Sequence, residues 1–183
     1  MKMAIAGKGG VGKTFISGTL ARLLAQDGFK VLAIDADPAM NLSYSLGIHS
    51  EVASKVKPIA ENKALIEQRV GSGPIYNLTP TVSDITENFG VTGPDGVMLL
   101  IMGTIRSGGS GCMCPSNSLI RALIRHIMLE RKDLVIMDME AGLEHLGRAT
   151  VKGFEILLCI VESGTQSIET AKKIMALAND IGI

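Results

Sequence analysis

Apolar residues fall along this chain in two alternating rhythms. Continuous apolar runs of strand length occupy 2–6, 30–35, 97–102, 134–138 and 156–161, and they are rich in Val, Ile, Leu and Met. Between them apolar residues recur at helical spacing: Ile16, Leu20, Leu23 and Leu24 after the first run, then Leu119, Leu123, Ile127 and Met128 behind Pro115. A last helix is expected over 165–183, with Ile168, Ala171, Ile174, Met175 and Ala178 on one face and Gly182 as its stop. Gly28 closes the first helix, 60–70 also reads as helical, and 72–95 reads as loops with short elements. Unbroken apolar strands separated by helices predict an α/β fold, a mostly parallel sheet flanked by helices on both faces. Ligands of such sheets collect at the carboxyl ends of the strands. No repeat or linker divides the 183 residues, so 1–183 reads as a single domain.

The first junction between the two rhythms carries the most specific chemistry. Gly7-Lys8-Gly9-Gly10-Val11-Gly12-Lys13-Thr14 fits the phosphate-loop pattern G-x-x-x-x-G-K-[ST], and it lies between a predicted strand and a predicted helix, as that motif requires. Glycines let the backbone curl until several N–H groups point at one anion. Lys13 would bring a cation to the β- and γ-phosphates of ATP, the Thr14 hydroxyl would ligate Mg²⁺, and the helix that begins near Lys13 adds its positive end. Lys8 is a second cation inside the loop, either solvated or aimed at phosphate.

Two later strand ends are acidic. Asp35-Ala36-Asp37-Pro38 closes the second strand, and Asp138 closes 134–138 after four apolar residues. An acid there can orient the Mg²⁺ shell or the attacking water, and apolar residues followed by Asp is the Walker B pattern. Asp35 reads as structural or as an outer-shell metal group.

Composition narrows the surroundings. Lys+Arg and Asp+Glu both total 18, and aromatics are 3% with no Trp. Neither nucleic acid nor an anionic membrane is implied as a partner. No apolar run reaches the length of a membrane span, and the N-terminus is not a signal peptide. Three cysteines do not build a disulfide framework, so a reducing, cytoplasmic location is expected. Two of them stand in Gly108-Gly109-Ser110-Gly111-Cys112-Met113-Cys114-Pro115, where Cys114 precedes a helix start that favours thiolate. Two thiolates cannot complete a tetrahedral Zn²⁺ site, but two copies of the chain could supply four. A redox pair and incidental thiols are the other readings. Cys159 lies within a buried run and reads as core.

These motifs resemble those of the deviant-loop ATPases, the group of MinD/ParA, the arsenite-pump ATPase and the nitrogenase iron protein. Within it the chain resembles the carbon monoxide dehydrogenase maturation ATPases of the CooC type. The resemblance rests on Gly7–Thr14, Asp35–Pro38, the Cys112-x-Cys114 stretch, Asp138-Met139-x-Ala141-Gly142, Glu144-His145-Leu146 and Ile168-Glu169-Thr170-Ala171. It implies a nucleotide-dependent homodimeric ATPase that supports nickel insertion into a client carbon monoxide dehydrogenase. It implies that Lys8 reaches the partner's nucleotide, that Asp37 supports hydrolysis in a first switch, and that residues 139–142 form a second switch. It also implies that Cys112 and Cys114 share a Zn²⁺ or Ni²⁺ site at the dimer interface. Phe15 stands where the group commonly has a second Thr, a position that is usually not a primary ligand; Ala39 stands where many members carry an acid, and that departure implies slow turnover. Members continue with a further strand and an adenine-contacting segment, so the chain looks C-terminally shortened. The competing readings are a MinD/ParA-type positioning switch and a non-catalytic metal-bridged dimer.

Overall fold

A computed structural model describes residues 1–71, 77–103, 115–130, 133–140 and 153–182. In chain order the strands are β1 (Lys2–Gly7), β2 (Val31–Ala36), β3 (Val91–Thr92), β4 (Met98–Ile101), β5 (Leu134–Met139) and β6 (Ile156–Ile160). The helices are α1 (Lys13–Gln26), α2 (Leu42–Ser45), α3 (Ser50–Ala53), α4 (Lys63–Arg69), α5 (Ile85–Phe89), α6 (Pro115–Glu130) and α7 (Thr165–Ile181). The described strands form one six-stranded sheet in the order β3-β4-β2-β5-β1-β6. Every pairing is parallel except that of β3 with β4. The predicted α/β sheet with helices on both faces is what the chain forms.

The apolar strands are unbroken because both faces are covered. Ala4, Leu32, Ile34, Leu100, Val135 and Met137 point to one face, against Leu119, Leu123, Ile124 and Ile127 of α6 and Ile174 and Ala178 of α7. Their alternating neighbours Ile5, Ala33, Leu99 and Ile136 point to the other, against α1 and against Leu42 and Leu46. Burying a large aliphatic side chain contributes about 1.5–3 kcal/mol, so these two layers fix the sheet before any polar contact forms.

Several expectations need correction. The helix predicted over 60–70 is a 3₁₀ turn, Ile59–Glu61, followed by α4, because the Asn62 side chain accepts a hydrogen bond from the Leu65 N–H at 3.2 Å and starts a new helix there. Ile168 and Met175 do not share the buried face of α7; they are exposed, whereas Ile174 and Ala178 are buried as expected and Ser167 joins them. Buried Ser167 accepts the Glu162 N–H through its Oγ at 3.1 Å, so a polar residue holds the first place on that face. Leu23 likewise points away from the core that Ile16, Leu20 and Leu24 pack against. The antiparallel strand β3 was not predicted, since two residues show no period. Cys159 is half-buried against the core, and burial pushes its thiol pKa up. Among the described residues no helix is long and apolar enough to cross a membrane.

Helices α1 and α2 meet at Gly18. A Cβ there would lie 2.6 Å from Ser45 Cβ and 2.8 Å from its carbonyl carbon. Gly→Ala inside a helix ordinarily stabilises by up to about 1 kcal/mol. At Gly18 the sign should reverse: Gly18→Ala is expected to lower stability by about 1–3 kcal/mol, read as a lower urea midpoint at unchanged slope.

Candidate functional site

The site grows from the register of β1. In it Ile5 stands opposite Asp138 of β5, and Gly7 opposite Ile160 of β6. On the far side of β5, Asp138 stands opposite Asp35 of β2. All these strands run parallel, so their carboxyl ends open on one edge. At Gly7 the backbone has φ +148°, and a Cβ would fall 2.4 Å from the Ile160 carbonyl oxygen. Only glycine lets the chain leave the sheet here.

The loop that follows turns through two more left-handed glycines, Gly10 at φ +85° and Gly12 at φ +92°. Over Gly9, Gly10 and Gly12 an added Cβ would meet no atom of the described residues within 4 Å, so among them that side of the loop is open. Gly12 caps α1 without a side-chain hydrogen bond, which leaves the first N–H groups of a fourteen-residue helix for an anion. Lys13 is 6% exposed, and its Nζ donates to the Lys8 carbonyl oxygen at 3.2 Å. Lys8 Nζ lies 3.2 Å from Glu162 Oε1. Thr14 and Val11 are half-buried beside them.

Behind the loop stands a buried acid. Asp138 is fully buried, and its Oδ1 lies 2.9 Å from Ser17 Oγ, which is also 2.9 Å from the Lys13 carbonyl oxygen. One hydroxyl proton serves one of these acceptors at a time. Asp138 Oδ2 is buried with no hydrogen-bond partner among the described residues. Burial pushes the Asp138 pKa up, the hydroxyls of Thr14 and Ser17 hold it back, Asp37 adds to the rise, and Lys13 opposes it. Asp35 Oδ1 accepts the Asp37 N–H at 3.1 Å and Oδ2 accepts the Leu42 N–H at 3.0 Å, so it ties the segment after β2 to the sheet. Burial still raises its pKa to about 7 against those two N–H groups, helped by the charges of Asp138 and Asp37. Asp37 is half-buried, and its Oδ1 accepts the Ala39 N–H at 2.8 Å.

Among the described residues no three acidic, His or Cys groups converge as a metal cage. A hydroxyl, a buried orphan carboxylate oxygen and an open ring of backbone glycines instead fit Mg²⁺ that arrives with phosphate and keeps its waters. The chemistry this arrangement offers is the binding of a nucleotide phosphate chain.

The sequence profile of the CobQ/CobB/MinD/ParA nucleotide binding domain matches residues 2–183. The chain belongs to that family. It is 46% identical, over its whole length, to the carbon monoxide dehydrogenase accessory protein CooC of Rhodospirillum rubrum, of which it covers 71%. It is 44% identical to an uncharacterized ATP-binding protein of Methanocaldococcus jannaschii, again with 100% of the chain and 71% of that protein covered. Among solved structures, the septum site-determining protein MinD complexed with Mg-ADP from Pyrococcus horikoshii superimposes with a TM-score of 0.62 at 20% identity, over 100% of this chain and 66% of that one. That likeness shows the fold. The resemblance drawn from the motifs, to the CooC type within the MinD/ParA group, is borne out. The chain is shorter than the relatives it matches.

The structure brings Gly7, Lys8, Gly9, Gly10, Val11, Gly12, Lys13, Thr14, Asp37 and Asp138 to one edge of the sheet. Cys112, Cys114 and residues 141–150 lie outside the described residues, while α6 does begin at Pro115 as expected. Ser17 and Glu162 were missed. Ser17 is one helical turn after Lys13 on the face toward the sheet, a signal available from the spacing. Glu162 stands just beyond the β6 run, an acidic strand end like the other two.

The raised pKa of Asp35 gives a pH test. Its folded value, about 7, exceeds the ordinary 3.8, so its contribution is complete below 3.8 and is lost as pH rises toward 7. In urea titrations the nucleotide-free chain should therefore lose stability across that window, by at most about 1.4 kcal/mol per pH unit from this group. Asp35→Asn should flatten the slope, leaving a part of the same sign that belongs to Asp138.

Proposed function

We propose that the chain is an ATP-hydrolysing accessory protein for a carbon monoxide dehydrogenase, acting as a nucleotide-dependent homodimer. The observation that carries this reading is the junction of the two-lysine glycine loop with a buried carboxylate, Asp138, whose Oδ2 has no hydrogen-bond partner among the described residues. The similarity to CooC supplies the client, and the kinship with MinD-type proteins supplies the dimer.

In this reading the N–H groups of Gly9–Thr14 and the Lys13 ammonium bind the phosphates of ATP. Lys13 leaves the Lys8 carbonyl oxygen to do so. Thr14 would hold Mg²⁺, with Asp138 accepting from the water ligands, and the ion when bound would neutralise charge on the phosphate chain. Ser17 orients Asp138 by donating to Oδ1. Asp37, on the segment tied down by Asp35, positions the attacking water. Lys8 reaches the nucleotide of the second protomer. Cys112 and Cys114 of two protomers together hold Zn²⁺ or Ni²⁺, and nickel is the cargo delivered to the client. The location is cytoplasmic, and 1–183 acts as one nucleotide-binding domain.

Phosphate release and sedimentation with Mg-ATP test this. Lys13→Ala should lower turnover by about 10²–10³-fold. Cys112→Ser/Cys114→Ser should keep turnover but lose a metal content of about half an ion per chain. A reduced chain that binds neither Mg-ATP nor metal and stays monomeric would sink the reading.

A further inference from the structure

Both cations of the loop are already engaged without nucleotide. Lys13 Nζ rests on the Lys8 carbonyl oxygen, and Lys8 Nζ rests on Glu162 Oε1, each at 3.2 Å. Glu162 is not part of the loop, and the sheet delivers it. Gly7 is paired with Ile160, so Lys8 lies one residue past the pairing on β1 and Glu162 two residues past it on β6. The Glu162 backbone is fixed in turn, because its N–H donates to Ser167 Oγ at 3.1 Å and Ser167 is 1% exposed inside the first turn of α7. The Glu162 backbone is thus held by two elements, while Lys8 hangs on a glycine-rich loop.

We propose that Glu162 is a positioning residue for Lys8. It parks the ammonium on the β6 side of the loop in the nucleotide-free chain and competes with nucleotide phosphate for it. The proposal rests on the nucleotide-binding reading of the loop and adds the residue that sets where its second lysine waits. The pair is open to water, with side chains 35% and 51% exposed. Exposed pairs of this kind are worth a factor of about two to five. A Mg-triphosphate in the loop of the second protomer carries more negative charge than one carboxylate, so the exchange runs toward phosphate as the dimer forms. The pair is a rest position that ATP can break. The two exchanges are linked: when Lys13 leaves the Lys8 carbonyl oxygen, the peptide that carries Lys8 loses its own tether.

The test compares the wild-type chain, Glu162→Gln, Lys8→Ala and the double variant. The probe is ribose-labelled fluorescent ATP with Mg²⁺, titrated at low salt and at about 1 M salt, where the screening length falls to about 3 Å. Melting temperatures are recorded alongside, and Glu162→Ala replaces Glu162→Gln if the latter disturbs the fold. Glu162→Gln is expected to bind about two- to fivefold more tightly at low salt, to lose that advantage at high salt, and to have no effect in the Lys8→Ala background. Equal binding by wild type and Glu162→Gln at low salt overturns the proposal alone. So does a gain that survives in Lys8→Ala, which would be the plain field of one fewer anion. A wild-type chain that does not bind Mg-ATP overturns the reading of the loop, and the proposal with it.

Discussion

The parallel pairing of β1 between β5 and β6 is the constraint on which the site depends. It is made mostly by apolar residues, yet it decides where the charged groups of the site stand. One register brings Asp138 alongside Ile5, two residues short of the point where the chain must leave the sheet. The other brings the Ile160 carbonyl oxygen so close to Gly7 that no side chain fits. A slip of one residue would turn Asp138 to the opposite face of the sheet and move the β6 acid out of reach of Lys8.

That frame concentrates charge in a dry place. Asp35 and Asp138 are buried side by side on adjacent strands, with Asp37 close enough to push both upward and Lys13 as the compensating cation. Asp35 is satisfied by two backbone N–H groups, while Asp138 has one oxygen that nothing described satisfies. Buried polar atoms without partners are costly, and a site that retains one has a use for it. The cost is offset by the two apolar layers, which are large enough to hold the strands in register regardless of it.

The fold class was legible because strands covered on both faces read as unbroken apolar runs, and five such runs were visible. The glycine loop was legible because its motif, its strand and its helix agree. What escaped was set by single side chains rather than by period. Asn62 splits a helix by capping it. Ser167 takes a buried place in α7 that its polarity would deny it, while Ile168 and Met175 lie outside that face. Glu162 gains meaning only from the pairing of Gly7 with Ile160, a long-range contact that no local pattern contains. Ser17 sat within reach of helical spacing, but nothing local points it at Asp138.

The crossing at Gly18 has a mechanical consequence. Helix α1 carries the end of the phosphate loop, and α2 directly follows the segment that holds Asp37 and that Asp35 pins at Leu42. The two helices touch at Gly18, whose backbone lies directly against the Cβ and carbonyl of Ser45. A contact that tight has no slack to absorb displacement. The loop and the acidic segment are therefore geared together: a tilt of α1 is handed on to the residues after Asp37, and the two sides of the nucleotide site move as one part.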